Sequence, residues 1–198
     1  MFCYPQCENA MYERYDGLIF DMDGTILDTE PTHRKAWHDV LAHYGMRFDE
    51  QAIVALNGSP TWRIAQAVIE WNHGDLDPYA LAQEKTEAVK AMLLDTVEPL
   101  PLIEVVKAWH GRRPMAVGTG SERAIAEALL THLNLRQYFT AVVAADDVEH
   151  HKPAPDTFLL CAELMGVDPT KCVVFEDADF GLEAARRAGM DAVDVRTL

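Results

Sequence analysis

Residues 17–20 form a short apolar run, Gly-Leu-Ile-Phe, that breaks off into Asp21-Met22-Asp23-Gly24. Its length and its lack of alternation predict a strand buried on both faces. Beyond it the period changes. Ala36, Trp37, Val40 and Leu41 recur at helical spacing within 31–43, and Gly45 closes that helix. No convincing strand follows until about residue 95; segments 51–56, 61–71 and 78–94 read as helices. Turn-forming clusters at 57–60 and 72–75 separate them. The Glu-Pro-Leu-Pro stretch 98–101 marks a boundary, and behind it strands and helices alternate. Helices are expected over 102–110, 121–132, 156–165 and 179–188, and strands over 115–118, 141–144, 172–175 and 192–195.

Short apolar strands alternating with amphipathic helices imply an α/β fold, a parallel sheet covered by helices on both faces. The helical block 29–95 is then an all-helical insertion between the first and second strands of a core made of 1–28 and 96–198. It follows the Asp-rich strand end directly, so it lies over the carboxyl edge of the sheet, where open α/β folds bind ligands. A lid is the natural expectation.

Charge narrows the range of partners. A formal net charge of −15 over 198 residues argues against nucleic acid and anionic membrane surfaces. No run approaches the ~20 apolar residues of a membrane span. An anionic small molecule would need local attraction, from a metal, a lysine or backbone N–H groups. Cys3, Cys7, Cys161 and Cys172 lack zinc-type spacing, and the last two fall in apolar patterns that suit small core residues. Residues 1–10 carry no periodicity and no signal-peptide pattern, and Met11 is an alternative start. They are expected to be flexible, and the protein to be cytoplasmic and monomeric.

Asp21 and Asp23, two residues apart, share a face of a continuing strand, and Gly24 permits a tight exit. Two carboxylates at the end of a buried strand call for a cation between them. Alone, Asp-x-Asp-Gly is an ordinary acidic turn. Its company changes that: Val117-Gly118-Thr119-Gly120-Ser121, Lys152-Pro153-Ala154-Pro155-Asp156 and Val173-Val174-Phe175-Glu176-Asp177 follow in order. In a parallel sheet the strand ends face one crevice, so Asp21, Thr119 and Asp177 converge, with Lys152 in reach from its loop. A nucleophile, a second carboxylate, a metal ligand, a cation and hydroxyl donors together suit phosphoryl transfer. Each has a plainer reading: Thr119 as a helix cap, Lys152 as a solvated lysine, Glu176-Asp177 as helix N-terminal acids. His132, His150 and His151 show no ligand spacing and read as surface residues.

These four motifs, in this order and spacing, resemble those of the haloacid dehalogenase-like hydrolases, in particular the branch of sugar phosphatases and phosphomutases with a helical cap. The resemblance covers the chain from about residue 17 to its end. It implies a Rossmann-like core with an inserted cap and a Mg²⁺-dependent phosphatase acting on small sugar phosphates. Fructose 1-phosphate and 6-phosphogluconate are the candidates. It further implies Asp21 as the nucleophile that becomes aspartyl-phosphate, and Asp23 as general acid and base whose carbonyl also meets the metal. Asp177 completes the metal site, with Glu176 in support through water. Thr119, Gly120 and Ser121 hold phosphate oxygens, and Lys152 balances charge. Thr29, His33, Gly58, Ser59 and Lys85 face the sugar. The alternative is a β-phosphoglucomutase-type mutase. Mutases of this branch carry an arginine shortly after the cap's Gly-x-Ser, where this chain has Thr61, so hydrolysis is expected. Arg63 could reach inward or stay solvated.

Overall fold

A computed structural model of the chain describes residues 11–56 and 59–198. Cys3, Cys7, Gly58 and the expected flexibility of 1–10 therefore fall outside the described residues. Five strands form a parallel sheet in the order β5-β4-β1-β6-β7. They are β1 (Gly17–Phe20), β4 (Met115–Gly118), β5 (Ala141–Val143), β6 (Cys172–Glu176) and β7 (Asp191–Asp194). The apolar run at 17–20 is thus the central strand, and all four of its residues are buried.

The two faces of that strand enter different cores, as a period of two requires. Leu18 and Phe20 join Met115, Val117, Val173 and Phe175 on one face, where Phe20 and Phe175 stack with ring centroids 4.7 Å apart. Ile19 joins Ala116, Cys172 and Val174 on the other. Burying both faces explains why these strands read as continuous apolar runs.

Helices α1 (Glu30–His43), α2 (Glu50–Val54), α3 (Thr61–Trp71) and α4 (Pro78–Thr96) lie between β1 and β4 in sequence. They share an apolar cluster that includes Trp37, Leu41, Ile64, Val68 and Leu81. Asp49 caps α2 by accepting the N–H of Ala52, which starts that helix one residue earlier than its apolar pattern does. The remaining helices are α5 (Ile103–Trp109), α6 (Arg123–His132), α7 (Asp156–Met165) and α8 (Asp179–Arg187). None of the described helices is long and apolar enough to cross a membrane.

The structure departs from the sequence reading at three places that matter. The 98–101 boundary is a paired ribbon: β2 (Leu27–Asp28) runs antiparallel to β3 (Glu98–Pro99), so the strands entering and leaving the helical block clamp one another. Two-residue strands leave no periodicity to read. The block is also less separate than its pattern suggests, because Ala36, Val89 and Leu93 pack into the core that holds Phe20. Lastly, α6 starts at Arg123 rather than at Ser121, which is held outside the helix by its own side chain, as the site shows.

Candidate active site

The carboxyl ends of β1, β4 and β6 meet with the loop before α7 at one cleft, roofed by α1, α2, α3 and α4. Lys152 is its electrostatic centre on the sheet side. The side chain is 1% exposed, and Nζ donates to Asp21 Oδ1 at 2.7 Å and to Glu176 Oε2 at 2.8 Å. Burial alone would disfavour the ammonium, but the two carboxylates overcome that and raise Lys152 above its ordinary value. Its plain reading as a solvated loop residue is excluded.

Glu176 is fully buried and satisfied on both oxygens. Oε2 meets Lys152, while Oε1 accepts the N–H groups of Asp177 and Ala178 at 3.1 and 3.0 Å. It begins no helix; α8 starts three residues later. Asp21, Glu176 and Asp177 each offer a carboxylate oxygen, all within 4.8 Å of one another. Burial and Glu176 push Asp21 up to about 8 against the pull of Lys152. Burial and Asp21 push Asp177 up to about 6. Three crowded carboxylates against one lysine make a hard-oxygen donor set that a divalent cation relieves. The residues present therefore fit a metal of the magnesium type.

Two glycines make that crowding possible. A Cβ on Gly24, whose φ is +80°, would lie 2.4 Å from Asp177 Oδ2. One on Gly181, inside α8, would lie 1.8 Å from Glu176 Oε2. The first was legible as a tight exit from β1; the second was missed. Its signal is a glycine in a helix interior, a position that costs about 1 kcal/mol relative to alanine and here has no turn to explain it. Thr25, which donates to Asp177 Oδ1 at 3.3 Å, was missed too.

Asp23 is held differently. It accepts from Thr29 at 2.6 Å, from Ser121 at 2.8 Å and from Thr119 at 3.2 Å. His33 Nε2 lies 3.4 Å from its Oδ1, in ion-pair range but outside hydrogen-bond geometry. Burial works against the charged form, yet His33, Thr29 and Ser121 outweigh it and hold the carboxyl well below the usual range. Its side chain is absent from the metal-type cluster. Thr119 also accepts the N–H of Ser121 at 3.0 Å, so its hydroxyl ties the β4–α6 turn to Asp23 instead of capping α6. Ser121 and Gly120 both line the cleft.

On the helical wall, Lys85 is 4% exposed, and its Nζ is hydrogen-bonded to His33 Nδ1. An ammonium can only donate, so Nδ1 accepts and the imidazole proton sits on Nε2, facing Asp23. Ser59 Oγ is buried without a hydrogen-bond partner among the described residues, and Ser59 lines the same cleft. Such a hydroxyl is costly unless something entering the cleft satisfies it. Thr61 lines the cleft as well. His33, Ser59 and Lys85 thus line one cleft with Asp21, Asp23, Gly120, Ser121, Glu176 and Asp177, while Thr29, expected to face the sugar, is buried behind it on Asp23, as Thr119 is, and Lys152 is buried behind Asp21. Arg34, which also lines it, was not singled out by the sequence reading. His151, expected on the surface, is partly buried next to Lys152.

Comparison with known proteins adds to this geometry. Residues 15–189 match the haloacid dehalogenase-like hydrolase family. The chain is 80% identical over 188 residues to the fructose-1-phosphate phosphatase YqaB of Escherichia coli (strain K12), covering 95% of this chain and 100% of that protein. It is 31% identical to a phosphorylated carbohydrates phosphatase of Thermotoga maritima, covering 90% and 83%. Among solved structures, β-phosphoglucomutase from Clostridium difficile is similar, with a TM-score of 0.79 at 25% identity, covering 90% of this chain and 83% of that one.

Proposed function

The chain belongs to the haloacid dehalogenase-like hydrolase family, and from that premise we propose that it is a magnesium-dependent sugar phosphatase working through an aspartyl-phosphate on Asp21. Its substrates are small sugar phosphates of the fructose 1-phosphate and 6-phosphogluconate type. The observation that carries this reading is the buried Asp21, held at 2.7 Å by Lys152 and crowded by two further carboxylates at the strand ends. The helical block 29–95 acts as a cap that shapes the sugar side of the cleft.

Asp21, Asp177 and the carbonyl of Asp23 would hold Mg²⁺, with Glu176 in support. When bound, the ion offsets the repulsion between the nucleophile and an anionic phosphoryl group. Asp21 attacks phosphorus through a carboxylate oxygen. The bond to the sugar oxygen breaks, and that oxygen takes a proton from Asp23. Water then attacks the aspartyl-phosphate, Asp23 takes its proton, and the acyl-phosphate P–O bond breaks to release phosphate and restore Asp21. The hydroxyl donors around Asp23, with the His33 imidazole close by, favour its base form, which suits the second half. A phosphate entering the cleft brings like charge toward Asp23 and raises its affinity for the proton that the first half requires. Lys152 keeps Asp21 oriented, and Thr119, Gly120 and Ser121 supply donors to phosphate oxygens.

Phosphate release from a panel of sugar phosphates, with Mg²⁺ and with chelator, tests the proposal. Release that depends on the metal and is strongest for a few small sugar phosphates is expected; none from any member refutes it. A mutase reading needs a firm second anion site after Ser59, where Thr61 offers only a hydroxyl. Isomerisation of glucose 1-phosphate in the presence of a bisphosphate would favour it.

A further inference from the structure

The cleft is short of free cations. Lys152 is committed to Asp21 and Glu176, and Lys85 is turned to His33. Glu30, Asp21, Asp23, Glu176 and Asp177 all line it, and the chain as a whole repels anions. Arg34 is the exception. On α1, Glu30, His33, Arg34 and Trp37 fall at helical spacing and all reach the cleft. The Arg34 guanidinium points across to α2, where Nη1 donates to Glu50 at 2.6 Å, beside Ile53 and Val54 on the cap wall. Nε and Nη2 have no hydrogen-bond partner among the described residues.

The bond to Glu50 is a weak claim on this side chain. The two side chains are 42% and 48% exposed, and an ion pair so placed is screened and contributes about 0–1 kcal/mol. Sharing the fork with a second anion therefore costs little, and a planar guanidinium whose Nε–Nη2 edge is spare is well shaped for one. We propose that Arg34 is a specificity-determining residue that binds an anionic group at the end of the substrate remote from the phosphate being transferred. A carboxylate of the aldonate type or a second phosphate supplies that group. The proposal rests on the reading of this cleft as a sugar-phosphate site. It makes Glu50 a competitor for the same guanidinium, so the two residues act with opposite sign.

The test measures kcat/KM for 6-phosphogluconate, fructose 1,6-bisphosphate and the uncharged-tail glucose 6-phosphate and fructose 1-phosphate in wild type, Arg34→Gln, Arg34→Lys and Glu50→Gln. In Arg34→Gln the ratio of an anionic-tail substrate to glucose 6-phosphate falls about tenfold, through KM, as expected for one lost charge-assisted hydrogen bond. Arg34→Lys recovers part of it, and Glu50→Gln raises the ratio. Whether gluconate or bisphosphate follows this pattern identifies the source of the anion. An unchanged ratio in Arg34→Gln, or Arg34→Gln and Glu50→Gln moving it in the same direction, overturns the inference. Release by wild type from fructose 1-phosphate but from neither anionic-tail substrate also overturns it; release from none of the four substrates means that the phosphatase reading falls instead.

Discussion

Two lysines are buried at this cleft, and they are held in opposite ways. Lys152, on the sheet side, has a carboxylate at 2.7 Å and another at 2.8 Å, and is raised above its ordinary value. Lys85, on the helical side, faces an imidazole nitrogen of His33, and burial lowers it to about 8 against the more distant pull of Asp23, Glu30 and Glu122. The first is a completed charge assembly. The second is a cation taken out of water with little in return, which is how a protein holds a group in readiness for a ligand. Under the proposed function, the difference separates the wall that would carry out the reaction from the wall that would choose what reacts.

The hardest blow to that division is aimed at Asp21. Asp21→Asn keeps an oxygen for Lys152 to donate to but removes the nucleophile, so turnover should fall by more than about a thousandfold while the folded chain persists. Phosphate release near the wild-type rate would mean that the sheet wall is not where the chemistry starts. Circular dichroism alongside the assay separates this from simple unfolding.

Gly181→Ala strikes the same wall without touching any charged residue. The new Cβ must displace a Glu176 carboxylate that is pinned by Lys152 and two backbone N–H groups, so the far end cannot swing away cheaply. Losing that geometry should cost about 2 kcal/mol of stability. Activity should fall on the order of a hundredfold, since a misplacement of about 1 Å can do as much. A variant with wild-type activity and Tm would show that Glu176 has room the packing denies.

The sheet wall was legible because its residues sit at strand ends. Topology converts four distant motifs into one site without any knowledge of side-chain direction, so Asp21, Thr119, Lys152 and Asp177 could be assembled from pattern. The helical wall has no such rule. Which of Glu30, His33 and Arg34 meets the cleft depends on how α1 is rotated against α2 and α4, and that is set by packing of Trp37, Leu41 and Leu81. Arg34 was invisible for that reason. Gly181 was invisible for another: its purpose is the space it leaves, and an absent side chain has no chemical signature. The β2–β3 ribbon escaped because two-residue strands have no period.

The gentlest prediction tests the helical wall on its own terms. Lys85→Met keeps a long unbranched side chain beside Trp37, whose ring centroid lies 5.7 Å from Nζ, and removes the charge. If Lys85 is held for the substrate, KM for sugar phosphates rises about tenfold, and kcat changes less. Stability moves the other way. The folded-state value of Lys85 lies below its unfolded value of 10.5, so the unfolded chain holds the proton more tightly and the buried charge costs stability at pH 7. Removing it should stabilise the fold by on the order of 2 kcal/mol there. The wild-type penalty fades as pH rises from about 8 through 10.5, because the unfolded lysine then loses its proton too. The Tm advantage of Lys85→Met should therefore shrink over that window. Thermal melts of both proteins at pH 7 and pH 10, beside KM at pH 7, read all of this. A lower Tm at pH 7 would mean the two lysines contribute alike, and the contrast between the walls would be lost. A higher Tm with an unchanged KM would leave Lys85 a buried cost with no ligand to justify it.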